Sequence, residues 1–162
     1  MEAKELELTE LAYYAGLFDG EGCIHIRRTK TKHQKLAYAL VCKISMCNFF
    51  ILNELKYRFG GCLRMERKDK YHNKYNKLWS WTLSCHKALV FLNAVYPFLK
   101  LKRAEAELAM QFQENKVSGA HQGHRGNVPK TPEQLAIEEA QYILMRNLKK
   151  GGVIECQTGK IL

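Results

Sequence analysis

No apolar run in this chain of 162 residues approaches the ~18 needed to cross a bilayer, so no membrane partner is expected. The first ten residues, MEAKELELTE, carry four Glu and one Lys and lack the apolar core of a secretory leader. No two cysteines stand in CxxC spacing. The HxxH of His121 and His124 has no cysteine pair beside it, so zinc-site spacing is missing. Most of the six cysteines (Cys23, Cys42, Cys47, Cys62, Cys85 and Cys156) fall inside apparent strands or helices, where a free thiol packs as a small hydrophobe. They are expected to be reduced, in an intracellular protein. Acids are scarce in the middle of the chain. Residues 23–103 hold 18 Lys or Arg against Glu54, Glu66 and Asp69, a local net of +15 in a chain of net +10. Such a stretch suits a polyanion, although a solvated basic surface has the same composition.

What is present reads as one domain with an appendage, and 46% apolar residues are enough for a proper core. Thr9 can cap a helix over Glu10–Phe18. CIHIRRTK then alternates, with Ile24 and Ile26 on one side and Cys23, His25 and Arg27 on the other. TKTKHQK reads as a basic loop, and KLAYALVCKIS, residues 35–45, as a second strand. Asn48–Phe59 has helical spacing in Leu52, Leu55 and Phe59, and Gly60-Gly61 stops it. CLRMERKDK alternates again, and YHNKYNK is a polar turn region. In KLWSWTLS the residues Trp79, Trp81 and Leu83 face a core, while Ser80, Thr82 and Ser84 face outward. A helix over His86–Tyr96 is ended or bent by Pro97, and a further helix is expected over Lys100–Glu114. NKVSGAHQGHRGNVPK, residues 115–130, reads as a linker. Thr131-Pro132-Glu133-Gln134 then offers an N-cap, a Pro at N1 and a capping-box partner for a last helix to about Lys149. The expectation is an α+β domain over residues 8–114 and a helical extension over 131–162. Its antiparallel four-stranded sheet has helices on the apolar face and an open, positive second face.

Two acids stand at the first helix-to-strand join, in LAYYAGLFDGEGCIHI, among Gly16, Gly20 and Gly22. Taken alone, DGEG is also the composition of a tight turn with exposed acids. A calcium loop is excluded, because CIHIRRTK supplies none of the further oxygen ligands it needs.

In this setting Tyr14-Ala15-Gly16-Leu17-Phe18-Asp19-Gly20-Glu21-Gly22 resembles the signature of the LAGLIDADG homing endonucleases, in register over nine residues. The resemblance runs through αββαββα to Pro97-Phe98-Leu99-Lys100-Leu101-Lys102, about residues 8–112, and contains one copy of the motif. It implies a saddle-shaped sheet and a homodimer acting on double-stranded DNA with Mg²⁺. Ala12, Ala15 and Gly16 are small enough for two such helices to pack side by side, and Asp19 would tie the helix end to its dimer partner. Glu21 is similar to the family's metal-binding carboxylate, with the carbonyl of Gly20 as a second oxygen. Lys102 resembles the active-site lysine, against the plainer reading of a solvated lysine beside Lys100 and Arg103. One departure stands out: Met46 occupies the place where the family often has a glutamine that holds a water, and a thioether cannot replace that hydrogen bonding.

On the sheet, His25, Arg27, Lys43, Ser45, Arg64, Glu66, Lys68, Ser80 and Thr82 have the parity to face a major groove. Two-fold symmetry implies a near-palindromic site of roughly 20 base pairs. The tail from residue 115 lies outside the resemblance, and its helix could pack on the domain, cross to the other subunit or grip flanking DNA. The leading expectation is a site-specific, magnesium-dependent endonuclease that moves its own intron or intein. The alternatives are a nucleic-acid-binding protein that does not cut, such as an RNA-splicing maturase, and a structural protein with acidic partners.

Overall fold

The computed structural model describes residues 7–30, 36–66, 77–118 and 130–150. In chain order these form α1 (Leu8–Glu21), β1 (Gly22–Lys30), β2 (Leu36–Met46), α2 (Phe49–Phe59), β3 (Cys62–Met65), β4 (Trp79–Ser84), α3 (His86–Val95), a 3-10 turn (Tyr96–Phe98), α4 (Arg103–Ser118) and α5 (Pro132–Lys149). The four strands make one antiparallel sheet in the order β1-β2-β4-β3. It is the expected α+β arrangement, with every helix on one side.

Alternation in the strands sorts the side chains. Ile24 and Ile26 of β1, Leu40 and Ile44 of β2 and Trp81 and Leu83 of β4 are buried under the helices. Phe91 of α3 is the centre of that core. Its ring meets Phe18, Phe59 and Trp81 edge-on at 5.0, 5.0 and 5.2 Å, within the range where aromatic pairs attract beyond simple area burial. The indole N–H of Trp81 donates to the Gly60 carbonyl at 2.8 Å, so the largest core side chain leaves no polar atom unpaired.

Both ends of α1 and of α4 differ from expectation. Helix α1 starts at Leu8 with Glu7 as its N-cap, and the Thr9 hydroxyl donates to the Glu7 carboxylate instead of capping. The helix continues to Glu21, so both motif acids lie in its last turn and not beyond it. Helix α4 begins at Arg103, because the N–H groups of residues 100–102 are used elsewhere, and it runs to Ser118 through the first residues of the expected linker.

The capping box of α5 is present in both directions: Thr131 Oγ1 accepts from the Gln134 N–H, and the Gln134 side chain accepts from the Thr131 N–H. This helix packs on α4, β1 and β2 of its own chain, with Met145 in the core. Its Glu139 accepts from the Tyr38 hydroxyl and pairs with Arg28 at 3.2 Å. The basic loop at 31–35, the turn region at 67–76 with Lys68, residues 119–129 with the HxxH, and 151–162 with Cys156 lie outside the described residues.

Helix α1 passes into β1 with no loop between. Gly22 is its C-cap in an extended conformation, and its N–H donates to the Phe18 carbonyl. A Cβ on Gly22 would sit 2.3 Å from the Phe18 ring and 2.4 Å from the Phe18 carbonyl oxygen, closer than any side chain tolerates. Glycine is required there by its neighbour, not by its own dihedral angles. Gly22→Ala should therefore destabilise the fold by ~1–3 kcal/mol, the usual cost of overpacking, read as a lower denaturation midpoint. An unchanged midpoint would show that the join relaxes freely.

Candidate functional site

The site is assembled around the last turn of α1. Asp19 is buried, and its carboxylate accepts three backbone N–H groups from the loop before α4: Lys100 at 2.7 Å, Leu101 at 3.2 Å and Lys102 at 3.0 Å. The Lys102 ammonium donates in turn to the Asp19 carbonyl. Burial by itself would raise the Asp19 carboxyl. The three N–H groups and the Lys102 charge outweigh it, so the carboxyl is held below the usual range. These bonds lie within one chain and tie the end of α1 to residues 100–102.

Two residues on, Glu21 is exposed at the end of the helix. The negative end of a helix dipole and a carboxylate favour a cation together, with the Gly20 carbonyl among the last carbonyls that the helix cannot itself satisfy. Among the described residues no cluster of three or more His, Cys, Asp or Glu is placed to hold a metal ion. The donor set of one chain is thus one carboxylate and backbone oxygen. That set fits magnesium, a hard cation that takes its remaining ligands from water and phosphate, and does not fit a closed protein cage.

The outer face of α1 separates the small residues. Ala12 and Gly16 are exposed, and they line an open groove with Pro97, Phe98, Lys100 and Arg103. Ala15 does not belong with them. It is fully buried in its own core beside Tyr14 and Phe18, because one residue along a helix is a turn of ~100°, which sets Ala15 well round from Gly16 and towards the core. At Gly16 and Gly20 a Cβ would meet nothing within 4 Å. Nothing among the described residues requires those two glycines, in contrast to Gly22.

Beyond the join, the second face of the sheet carries the polar set. Pairing aligns Cys23 with Lys43 and Thr82, and Ser45 with Ser80 and Arg64. Arg27 and Arg64 are exposed, and His25, Lys43, Ser45 and Thr82 are half-buried. Ser80, expected to face outward, has the right parity but is buried. Glu66 covers this region: its carboxylate takes the Lys43 ammonium at 2.5 Å, the Ser45 hydroxyl at 3.4 Å and the Ser80 hydroxyl, and Lys43 in particular holds it below the usual carboxylate range. Met46 ends β2 opposite Trp79 and packs on the core, so it contributes nothing polar.

One group escaped the sequence reading. Cys23 is no inert hydrophobe: His25 Nδ1 lies 3.8 Å away, Lys149 at the end of α5 donates to its sulfur at 2.9 Å, and together they bring the thiol down to about 7. The alternation in CIHIR already places Cys23 beside His25, but nothing local announces Lys149. Cys42, by contrast, is buried and its thiol is pushed up, as a packing cysteine should be.

A motif helix ending in an exposed acid, a lysine fixed to that end and a half-covered antiparallel sheet together make an αββαββα architecture. The sequence matches the profile of the LAGLIDADG endonucleases over residues 14–111, and the chain belongs to that family. Among solved structures it is similar to the homing endonuclease I-CvuI in complex with its target in the presence of 2 mM Ca, at TM-score 0.70 and 20% identity over 95% of this chain and 87% of that one. It is also similar to the archaeal intron-encoded homing endonuclease I-Vdi141I complexed with DNA, at TM-score 0.67 and 14% identity over 86% and 83%. The LAGLIDADG homing endonuclease I-SmaMI, bound to cleaved DNA, aligns at TM-score 0.64 and 16% identity over 94% of this chain but only 48% of its own. No curated protein matches the sequence. At these identities the likeness establishes the fold. Among the described residues no helix is long and apolar enough to cross a membrane.

The Asp19 interaction has a pH signature. A carboxyl depressed on folding adds stability that is complete above its unfolded pKa of about 4 and is lost as pH falls towards the lower folded value. Asp19→Asn should lower stability at neutral pH and flatten the decline below about pH 4. Parallel acid limbs in the two proteins would remove Asp19 as the source.

Proposed function

We propose that this protein is a site-specific endonuclease that cuts double-stranded DNA as a homodimer with magnesium. The observation that carries the reading is the exposed carboxylate of Glu21 on the helix end to which Lys102 is fastened, at the margin of the basic sheet face. The DNA complexes of similar chains support double-stranded DNA as the partner.

Glu21 and the Gly20 carbonyl would hold the metal, which when bound activates water and stabilises the leaving oxygen. The rest falls to the protein. Lys102, held in place by its own backbone bond to Asp19, keeps a positive charge where the phosphate gains negative charge. Arg27, Arg64 and Lys43 offset phosphate charge or meet base edges, and His25, Ser45, Ser80 and Thr82 add hydrogen-bonding groups on the same face. The glycines of α1 serve a second copy: with Ala12 they leave room for another α1 at close range, which brings a second Glu21 to the axis for the second strand. Met46 lies on the core side, and its thioether offers no hydrogen-bond donor at that place.

Cleavage of a randomised target library with Mg²⁺, and its absence with EDTA, tests the reading. Binding without cutting under both conditions would favour the maturase-like alternative. Glu21→Gln should abolish cleavage and leave binding within a few-fold, since a metal ligand is lost while a negative charge near phosphate is removed. Cutting at the wild-type rate would mean that Glu21 is no ligand.

Gly16→Leu should leave the unfolding of the single chain intact, because its side chain enters open space. The same change should shift sedimentation from dimer to monomer. An unchanged dimer would place the interface elsewhere.

A further inference from the structure

Among the described residues of the open sheet face, Glu66 is the one acid. A carboxylate directed at DNA repels phosphate unless it accepts from a base, so its presence needs a reason. It is also held with care. Lys43 lies across from it at 2.5 Å, Ser45 shares the same oxygen at 3.4 Å, and the buried Ser80 bonds it as well. The Lys43 and Glu66 side chains are still 37% and 34% exposed, so a ligand can reach both. Each keeps capacity to spare: an ammonium has three donors, and a carboxylate has about four acceptor sites.

In the major groove only cytosine N4 and adenine N6 donate hydrogen bonds. A G·C pair presents the N7 and O6 acceptors of guanine next to the N4 donor of cytosine, which matches an ammonium beside a carboxylate. An A·T pair instead sets its N6 donor between two acceptors, adenine N7 and thymine O4, so it offers no two adjacent acceptors for one ammonium. We infer that Lys43 and Glu66 act as one unit that reads a single G·C base pair in each half-site, Lys43 on guanine and Glu66 on cytosine. The inference rests on the DNA-cleaving reading above, since it takes the open sheet face as the DNA face. Sheet register gives the position. Lys43 pairs with Cys23, the second residue after Glu21, so the base pair lies in the inner part of the half-site, near the cut. Neither side chain alone has this selectivity, because a lone lysine donates to phosphate as readily as to a base and a lone glutamate is repelled by phosphate.

Selection of bound duplexes from a library randomised over ~20 base pairs tests this with three proteins: wild type, Glu66→Gln and the charge swap Lys43→Glu/Glu66→Lys. Wild type should enrich G·C about tenfold to a hundredfold at one inner position of both half-sites. Glu66→Gln, close in shape, should lose preference at that position and keep it elsewhere. The swap retains an ion pair and should enrich the inverted C·G pair at the same position. If the three proteins select the same site, or if the variants lose preference evenly along it, the pair is a surface salt bridge and the inference falls, while DNA binding stands. A wild type that enriches no sequence overturns both the inference and the reading beneath it.

Discussion

The carboxylate of Asp19 joins the last turn of α1 to residues 81 to 83 positions further along the chain. Three successive backbone N–H groups would otherwise have lost their partners where the chain bends from the 3-10 turn into α4, and a charged acceptor satisfies all of them. Hydrogen bonds to ionised groups are the stronger kind, and partial burial makes these more so. Much follows from this contact. It sets where α4 can begin, and it brings Lys102 to the same helix end as Glu21. It also forms one side of the groove over Ala12 and Gly16. On the other side of the join, Gly22 presses the start of β1 against Phe18, so the helix end is fixed by a polar clamp and a steric one together.

Much of this was legible in the sequence, and the failures share a cause. The alternation in CIHIR and WSWTLS gave strands whose core faces hold in the structure, and Thr131 with Gln134 announced the cap of α5. The motif in Tyr14–Gly22 identified the family. Local pattern fails where a residue answers to something distant. Ala12, Ala15 and Gly16 look alike as small residues, and only the rotation of the helix over its own core separates Ala15 from the others. Lys100–Lys102 look helical until Asp19 takes their N–H groups. Ser80 looks exposed until Glu66 folds over it, and Cys23 looks inert until Lys149 arrives from α5.

The open sheet face is therefore not a uniform field of positive charge. A basic surface raises the rate of encounter with a polyanion without choosing among sequences. Around Lys43 that field is interrupted by a neutralised, hydrogen-bonded group with fixed polarity. The surroundings of Cys23 are a second interruption, with a thiol and an imidazole of β1 and an ammonium of α5 meeting at the strand that follows Glu21. Helix α5 thus reaches the margin of the site although the family motif and the matched region end before it.

The loopless passage from α1 into β1 has a consequence for how such a chain can change over generations. Between Phe18 and Ile24 there is no slack to absorb an insertion or a deletion. One residue more or less would turn the helix by ~100° or exchange the two faces of the strand, moving side chains from core to solvent. Length is frozen in this segment, whereas the side chains on the open face of the sheet answer to few neighbours within the chain. Divergence of such a scaffold must therefore proceed by exchanging residues at fixed spacing, so that the frame is inherited whole while the surface it carries is rewritten one position at a time.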